Sequence, residues 1–174
     1  MTAVFINSFI LFFVTIDTIG NIPFFLSLTE DAKIKQRNQI ALRSIVIAFF
    51  IMITFAYAGR YLLEVIDVSL DSLKIAGGII LMFLAIDILF EKRKKRREKR
   101  VEDALDEKSF EEIIVFPIAI PFIAGPSALT TIILLIGNYS TNTEFQIPVI
   151  LALVAALFVS LILMIGASFI VKFI

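Results

Sequence analysis

Apolar stretches of span length alternate along this chain with short charged ones, and polar residues are not interleaved within them at helix or strand period. A transmembrane helix needs about 20 consecutive, mostly apolar residues. The pattern therefore predicts an all-α, polytopic transmembrane helical bundle. Its expected spans are Ala3 to Leu28, Ile40 to Leu63, Val68 to Phe90, Ile113 to Ile136 and Phe145 to Ile174. The first apolar run has no basic residue before it and no small-residue cleavage site after it, so it is read as a retained span.

Two spans are interrupted in similar fashion. The first carries Asp17-Thr18-Ile19-Gly20-Asn21-Ile22-Pro23 in mid-span, and the fourth carries Pro117-Ile118-Ala119-Ile120-Pro121-Phe122-Ile123-Ala124-Gly125-Pro126-Ser127. Proline lacks an amide donor and clashes with the carbonyl four residues earlier. Pro23 is thus expected to free the Ile19 carbonyl, Pro121 that of Pro117, and Pro126 that of Phe122. Lipid cannot hydrogen-bond these groups, so they must face protein, water or a ligand. Broken helices in corresponding positions of two halves point to a binding site near the midplane.

The halves are residues 1–90, with three spans, and residues 113–174, with two; a basic connector, 91–112, joins them. Three-span units insert with opposite orientations, so the expected plan is a pair of inverted repeats with the last helix of the second missing. A sixth span is expected from the native protein or a partner.

The placement of charge adds orientation. Lys33, Lys35, Arg37 and Arg43 cluster between spans one and two, and Lys92 through Arg100 plus Lys108 between spans three and four, whereas the opposite side holds Arg60 and Lys74. Basic loops stay in the cytoplasm, so the amino terminus is expected outside a cell membrane, with the connector inside. Tyr57, Tyr61 and Tyr139 then fall at the outer headgroup layer, which suits amphipathic rings. The run Lys92 to Arg97 reads as an orientation signal, or more sharply as a clamp on anionic lipid.

Composition narrows the chemistry. The chain is 59% hydrophobic and 18% charged, whereas soluble domains are about half apolar and about a quarter charged. Sixteen basic and sixteen acidic residues balance, which argues against a nucleic-acid partner. There is no cysteine and no histidine, which removes disulfides, ordinary zinc sites and axial haem ligands; no cofactor is expected. No phosphate loop, nucleophile elbow or paired-carboxylate hydrolase site is present, so an enzyme is not expected.

Three stretches carry a family resemblance: Ile19-Gly20-Asn21-Ile22-Pro23; Leu73-Lys74-Ile75-Ala76-Gly77-Gly78-Ile79 followed by Ala85-Ile86-Asp87; and Pro117 through Pro126. Together they resemble the MarC family of multi-pass membrane proteins, of the LysE superfamily of amino-acid exporters, over nearly the whole chain. The resemblance implies six spans in the full pattern and, for some members, transport of small neutral amino acids. Thr18 stands where that family usually has proline after the aspartate.

Candidate solute or ion contacts are Asp17, Gly20, Asn21, Pro23, Pro121, Gly125, Pro126 and Ser127. An acidic side chain at the bilayer centre costs about 2.5–3.5 kcal/mol on insertion scales, so something must compensate Asp17. It is read as binding a coupling proton, a sodium ion or a substrate ammonium, against the alternative of accepting bonds from amides freed by the break. Asn21 and Ser127 either bind substrate or satisfy backbone groups released by the prolines. Gly20, Gly77, Gly78 and Gly125 are read as permitting close helix approach. A half-helix starting after Gly125 would suit a carboxylate, because free amides and the positive dipole end converge there. Asp87 can reach water at the cytoplasmic edge by snorkelling.

The leading expectation is a secondary carrier of small neutral amino acids such as glycine or alanine, in a lipid bilayer and open to homo-oligomer formation. The alternative is a non-transporting membrane scaffold or assembly subunit.

Overall fold

The computed structural model describes residues 1–89, 110–139 and 142–170. The basic connector from Lys92 to Lys108 and Lys172 lie outside the described residues, as do the side chains of Arg60, Lys74 and Asp87 and the surroundings of Gly77. The described residues form helices α1 (Thr2–Ile16), α2 (Ile22–Leu28), α3 (Ile34–Val65), α4 (Leu70–Leu89), α5 (Phe110–Ile113), α6 (Pro126–Asn138) and α7 (Thr143–Ile170), with an irregular wide-turned segment, Ile114–Ile123, leading into α6. Among them there is no strand, and the all-α expectation holds.

Each expected break falls where its sequence chemistry places it. Helix α1 ends because Asp17 takes the left-handed conformation (φ 53, ψ 54), one that aspartate tolerates through its short polar side chain. One turn follows, closed by the Asn21 amide donating to the Asp17 carbonyl (3.0 Å), and α2 starts with Pro23 in its first turn, where a missing donor costs nothing. In the second break Phe116 (φ −130, ψ 121) and Ile120 (φ −128, ψ 127) are extended. Each precedes a proline, whose ring drives the residue before it out of the helical region. The paired helices Phe110–Ile123 and Pro126–Asn138 meet at 60°.

Among the described residues, helices α3 and α7 are the two unbroken members long and apolar enough to cross a bilayer, and the bent pair is a third candidate span. On α3 a buried stripe of Ala41, Ser44, Ala48, Met52 and Ala56 recurs every three to four residues, and α7 answers with Val149, Ala152, Ala156 and Ser160. Small side chains let helices approach closely in lipid, where dispersion rather than the hydrophobic effect drives packing. The opposite faces carry Leu42, Val46 and Phe50 on α3 and Leu151, Val154, Phe158 and Ile162 on α7, all exposed, as a lipid-facing surface requires.

The broken helices lie against these two long ones. Helices α1 and α2 pack on α7, whereas the Ile114–Ile123 segment and α6 pack on α3; α1 also meets α6, and α4 lies on α6. Gly59 of α3 sits where an added Cβ would come 2.6 Å from an Ile133 side-chain carbon, so α3 and α6 touch there. Among the described residues nothing lies within 4 Å of a Cβ added at Gly78.

Two details fix the ends. Arg37, buried near the start of α3, donates from Nε and Nη2 to the Thr29 carbonyl (3.1 and 2.7 Å) and from Nη2 to that of Glu30 (3.3 Å), so a cation closes the carbonyl end of α2. Helix α3 ends at a turn in which Asp67, exposed, is left-handed (φ 56) and the Val68 amide reaches back to the Leu63 carbonyl (2.8 Å).

Candidate functional site

The two breaks, about a hundred residues apart in sequence, touch each other. Asn21 lies in the first. Its Nδ2 donates to the Ile16 carbonyl (2.7 Å) and, across the crossing, to the Phe122 carbonyl of the second break (3.0 Å). Ser127 answers from the second break: its hydroxyl donates to the Thr15 carbonyl of α1 (3.0 Å). Each broken helix thus supplies a side-chain donor for a carbonyl of the other. The rings of Phe24 and Phe122 pack beside this exchange with centroids 5.8 Å apart.

Proline chemistry explains one half of the exchange. Pro126 has no amide to offer the Phe122 carbonyl, and Asn21 takes that place. The Ile19 carbonyl, released by Pro23, is instead taken up locally by the Ile22 amide at 3.2 Å, and so is not presented to protein or ligand as expected. The donor capacity of Asn21 and Ser127 is spent on backbone groups. Asn21 keeps one capability: its Oδ1 is buried and has no hydrogen-bond partner.

The remaining candidates divide into those near the crossing and those that shape it. Asp17 is half-buried, and its carboxylate lies over Gly20, where any Cβ would collide with it. Glycine at that position therefore makes room for the acid. Gly125 caps α6 in an extended conformation, and a Cβ on it would come 2.6 Å from the Pro121 carbonyl oxygen, so the backbone approach leaves no space for a side chain. Pro121 is half-buried, whereas Pro23 and Pro126 are exposed and act by starting α2 and α6.

A second polar contact went unread in the sequence. Ser160 donates to the Ala156 carbonyl (3.0 Å), so its one hydroxyl hydrogen is committed. The Thr18 hydroxyl, 2.9 Å away, is then the donor in the Thr18–Ser160 pair. Both are buried. The signal is in the sequence: Ser160 is one of two hydroxyls, with Ser168, deep in an apolar run, and such residues commonly hydrogen-bond across helices in lipid.

The crossing has two electrical poles. The carbonyl end of α1 finishes beside Asn21 and Asp17, and a helix end of this kind carries about half a negative charge. Helix α6 begins at the same crossing, and its first-turn amides, without acceptors inside the helix, form the positive counterpart. Among the described residues no group of three or more acidic, histidine or cysteine side chains is placed to hold a metal.

Comparison with known proteins supports the resemblance drawn from the motifs. Residues 2–174 match the description of a MarC family integral membrane protein. A UPF0056 membrane protein of Archaeoglobus fulgidus is 38% identical over 159 residues, covering 91% of this chain and 72% of the relative. One from Methanocaldococcus jannaschii is 33% identical over 168 residues, covering 97% and 73%. The UPF0056 inner membrane protein YhgN of Escherichia coli is 31% identical over 134 residues, covering 77% and 64%. No solved structure matches. With a match across nearly its full length and relatives of this similarity, the chain belongs to the MarC family of integral membrane proteins.

Proposed function

We propose that this protein is a secondary carrier of small zwitterionic solutes, neutral amino acids of the size of glycine or alanine. The observation that carries the reading is the contact of the two broken helices, which brings the carbonyl end of α1 and the amide end of α6 to one crossing. A zwitterion presents an ammonium and a carboxylate a few atoms apart, and two opposed helix ends suit those charges in the manner of discontinuous transporter helices.

Alternating access fits the packing. Each broken helix leans on the long helix of the other half, the arrangement that inverted repeats would use to rock against each other. The chain carries no nucleotide-binding motif, so the energy would come from a proton or sodium gradient or from the solute itself. Asp17, an ionisable group within the first span, is assigned to the coupling ion or the ammonium.

The test is flux of labelled glycine and alanine in proteoliposomes, with imposed proton and sodium gradients, comparing the intact protein with Asp17→Asn. Asparagine also tolerates the left-handed conformation, so the fold should survive. Saturable flux that falls with Asp17→Asn is expected. Equal flux in both would remove Asp17 from the mechanism, and no flux in the intact protein under any gradient would refute the carrier.

A further inference from the structure

We infer that Asn21 Oδ1 is the acceptor for a compact cationic head entering the crossing. The direction of this oxygen is fixed. Turning the amide over would withdraw Nδ2 from the Ile16 and Phe122 carbonyls and set an oxygen against both of them. Asn21 is 1% exposed, so an acceptor held this way needs a donor brought to it.

The surroundings select a positive one. The Asn21 amide and the Asp17 carbonyl close one turn, and the Asp17 carboxylate lies over Gly20 within that turn. The last carbonyls of α1, its negative end, converge on the same place. No lysine, arginine or histidine occurs in residues 1–32 or 109–171, so α1, α2, α6 and α7 have no cation of their own to offer. The oxygens shown at this place are Asn21 Oδ1, the Ile16 carbonyl and the Asp17 carboxylate, a set that suits a hard cation or an N–H donor.

Two sources share this chemistry: the ammonium group of the solute, and sodium. The ammonium source rests on the carrier reading above; sodium binding would stand without it.

The experiment is thermal unfolding of the purified, detergent-solubilised chain in choline chloride buffer. Methylammonium chloride, sodium chloride, glycine and choline glycolate are each titrated in. Saturable stabilisation of the wild type by methylammonium or sodium is expected, with glycine exceeding glycolate if the ammonium is the source. Asn21→Leu, of similar volume and without the acceptor, should weaken the apparent affinity about tenfold or more. The inference is overturned if neither cation stabilises the wild type, if glycolate stabilises as much as glycine and sodium does nothing, or if a folded Asn21→Leu binds as the wild type does. The wild-type titrations decide the matter even where Asn21→Leu does not fold. Cation binding without glycine flux in liposomes would sink the carrier and leave this acceptor in place, whereas flux without cation stabilisation would do the reverse.

Discussion

Replacing Asn21 by aspartate should be the most damaging single change at the crossing, far beyond what its near-identical shape suggests. Asn21 Nδ2 serves the Ile16 and Phe122 carbonyls at once, and aspartate presents only oxygens to both. Two buried carbonyls lose their donor at about 1–3 kcal/mol each. A negative charge at the carbonyl end of α1 adds about 0.3–1 kcal/mol in the same direction. The total for Asn21→Asp is about 2–7 kcal/mol, toward the upper part because the new oxygens face the two carbonyls. Asn21→Ala loses the same two bonds but also removes the partnerless Oδ1, an offset of about 1–3 kcal/mol, so about 1–3 kcal/mol remains. Ser127→Ala orphans a single carbonyl, that of Thr15, and bonds of this kind between membrane helices are worth about 0.6 kcal/mol on average and about 1.7 at most. The assay is reversible unfolding in mixed micelles against added SDS, followed by far-ultraviolet circular dichroism because the chain has no tryptophan. The order Asn21→Asp, Asn21→Ala, Ser127→Ala is expected. Asn21→Asp no worse than Ser127→Ala would refute the reasoning, because the amide would then not be held between two carbonyls. Asn21→Ala combined with Ser127→Ala should depart from additivity, since both bonds close one crossing.

Three further outcomes follow from single contacts. Gly125→Ala should destabilise by about 1–3 kcal/mol because backbone at Pro121 stands in the way, whereas Gly78→Ala, facing open space in a helix, should be neutral or stabilise by about 0.5–1 kcal/mol; thermal unfolding of the pair separates them. Thr18→Val, near isosteric, should cost about 1 kcal/mol by removing the donor to Ser160 Oγ, and Ser160→Ala should cost less in that background than in the wild type because the bond it would break is already gone. Arg37→Ala should cost about 1.5–3 kcal/mol by uncapping the carbonyl end of α2, with Arg37→Lys intermediate, as read by unfolding and by protease cleavage between α2 and α3.

The helical class and the location of both breaks were legible because they rest on local rules: span length, the missing proline amide, and the extended residue before proline at Phe116 and Ile120. The release of the Phe122 carbonyl by Pro126 was legible on the same ground. Its acceptance of a bond from Asn21 was not, because nothing local encodes a partner a hundred positions away. Local closure also hid the fate of the Ile19 carbonyl: the break is tight enough for the Ile22 amide to reach it, a property of the turn rather than of Pro23. Gly20 reads from sequence as a place of helix contact, whereas in the fold the Asp17 carboxylate of its own turn lies over it. From sequence alone Asn21 and Ser127 stay open between ligand and backbone duty; for their donors the geometry selects the backbone, and Asn21 Oδ1 is left without a partner.

The two left-handed aspartates provide an internal reference for dissecting the first break. Asp17 (φ 53) is half-buried inside it, and Asp67 (φ 56) is exposed at the end of α3. Alanine in such a conformation costs about 1–2 kcal/mol, while asparagine and glycine are comfortable, so a substitution series at Asp67 measures backbone preference alone. Subtracting that series from the same one at Asp17 isolates what the acid group contributes by its charge, in stability and in flux, free of the geometry it happens to occupy.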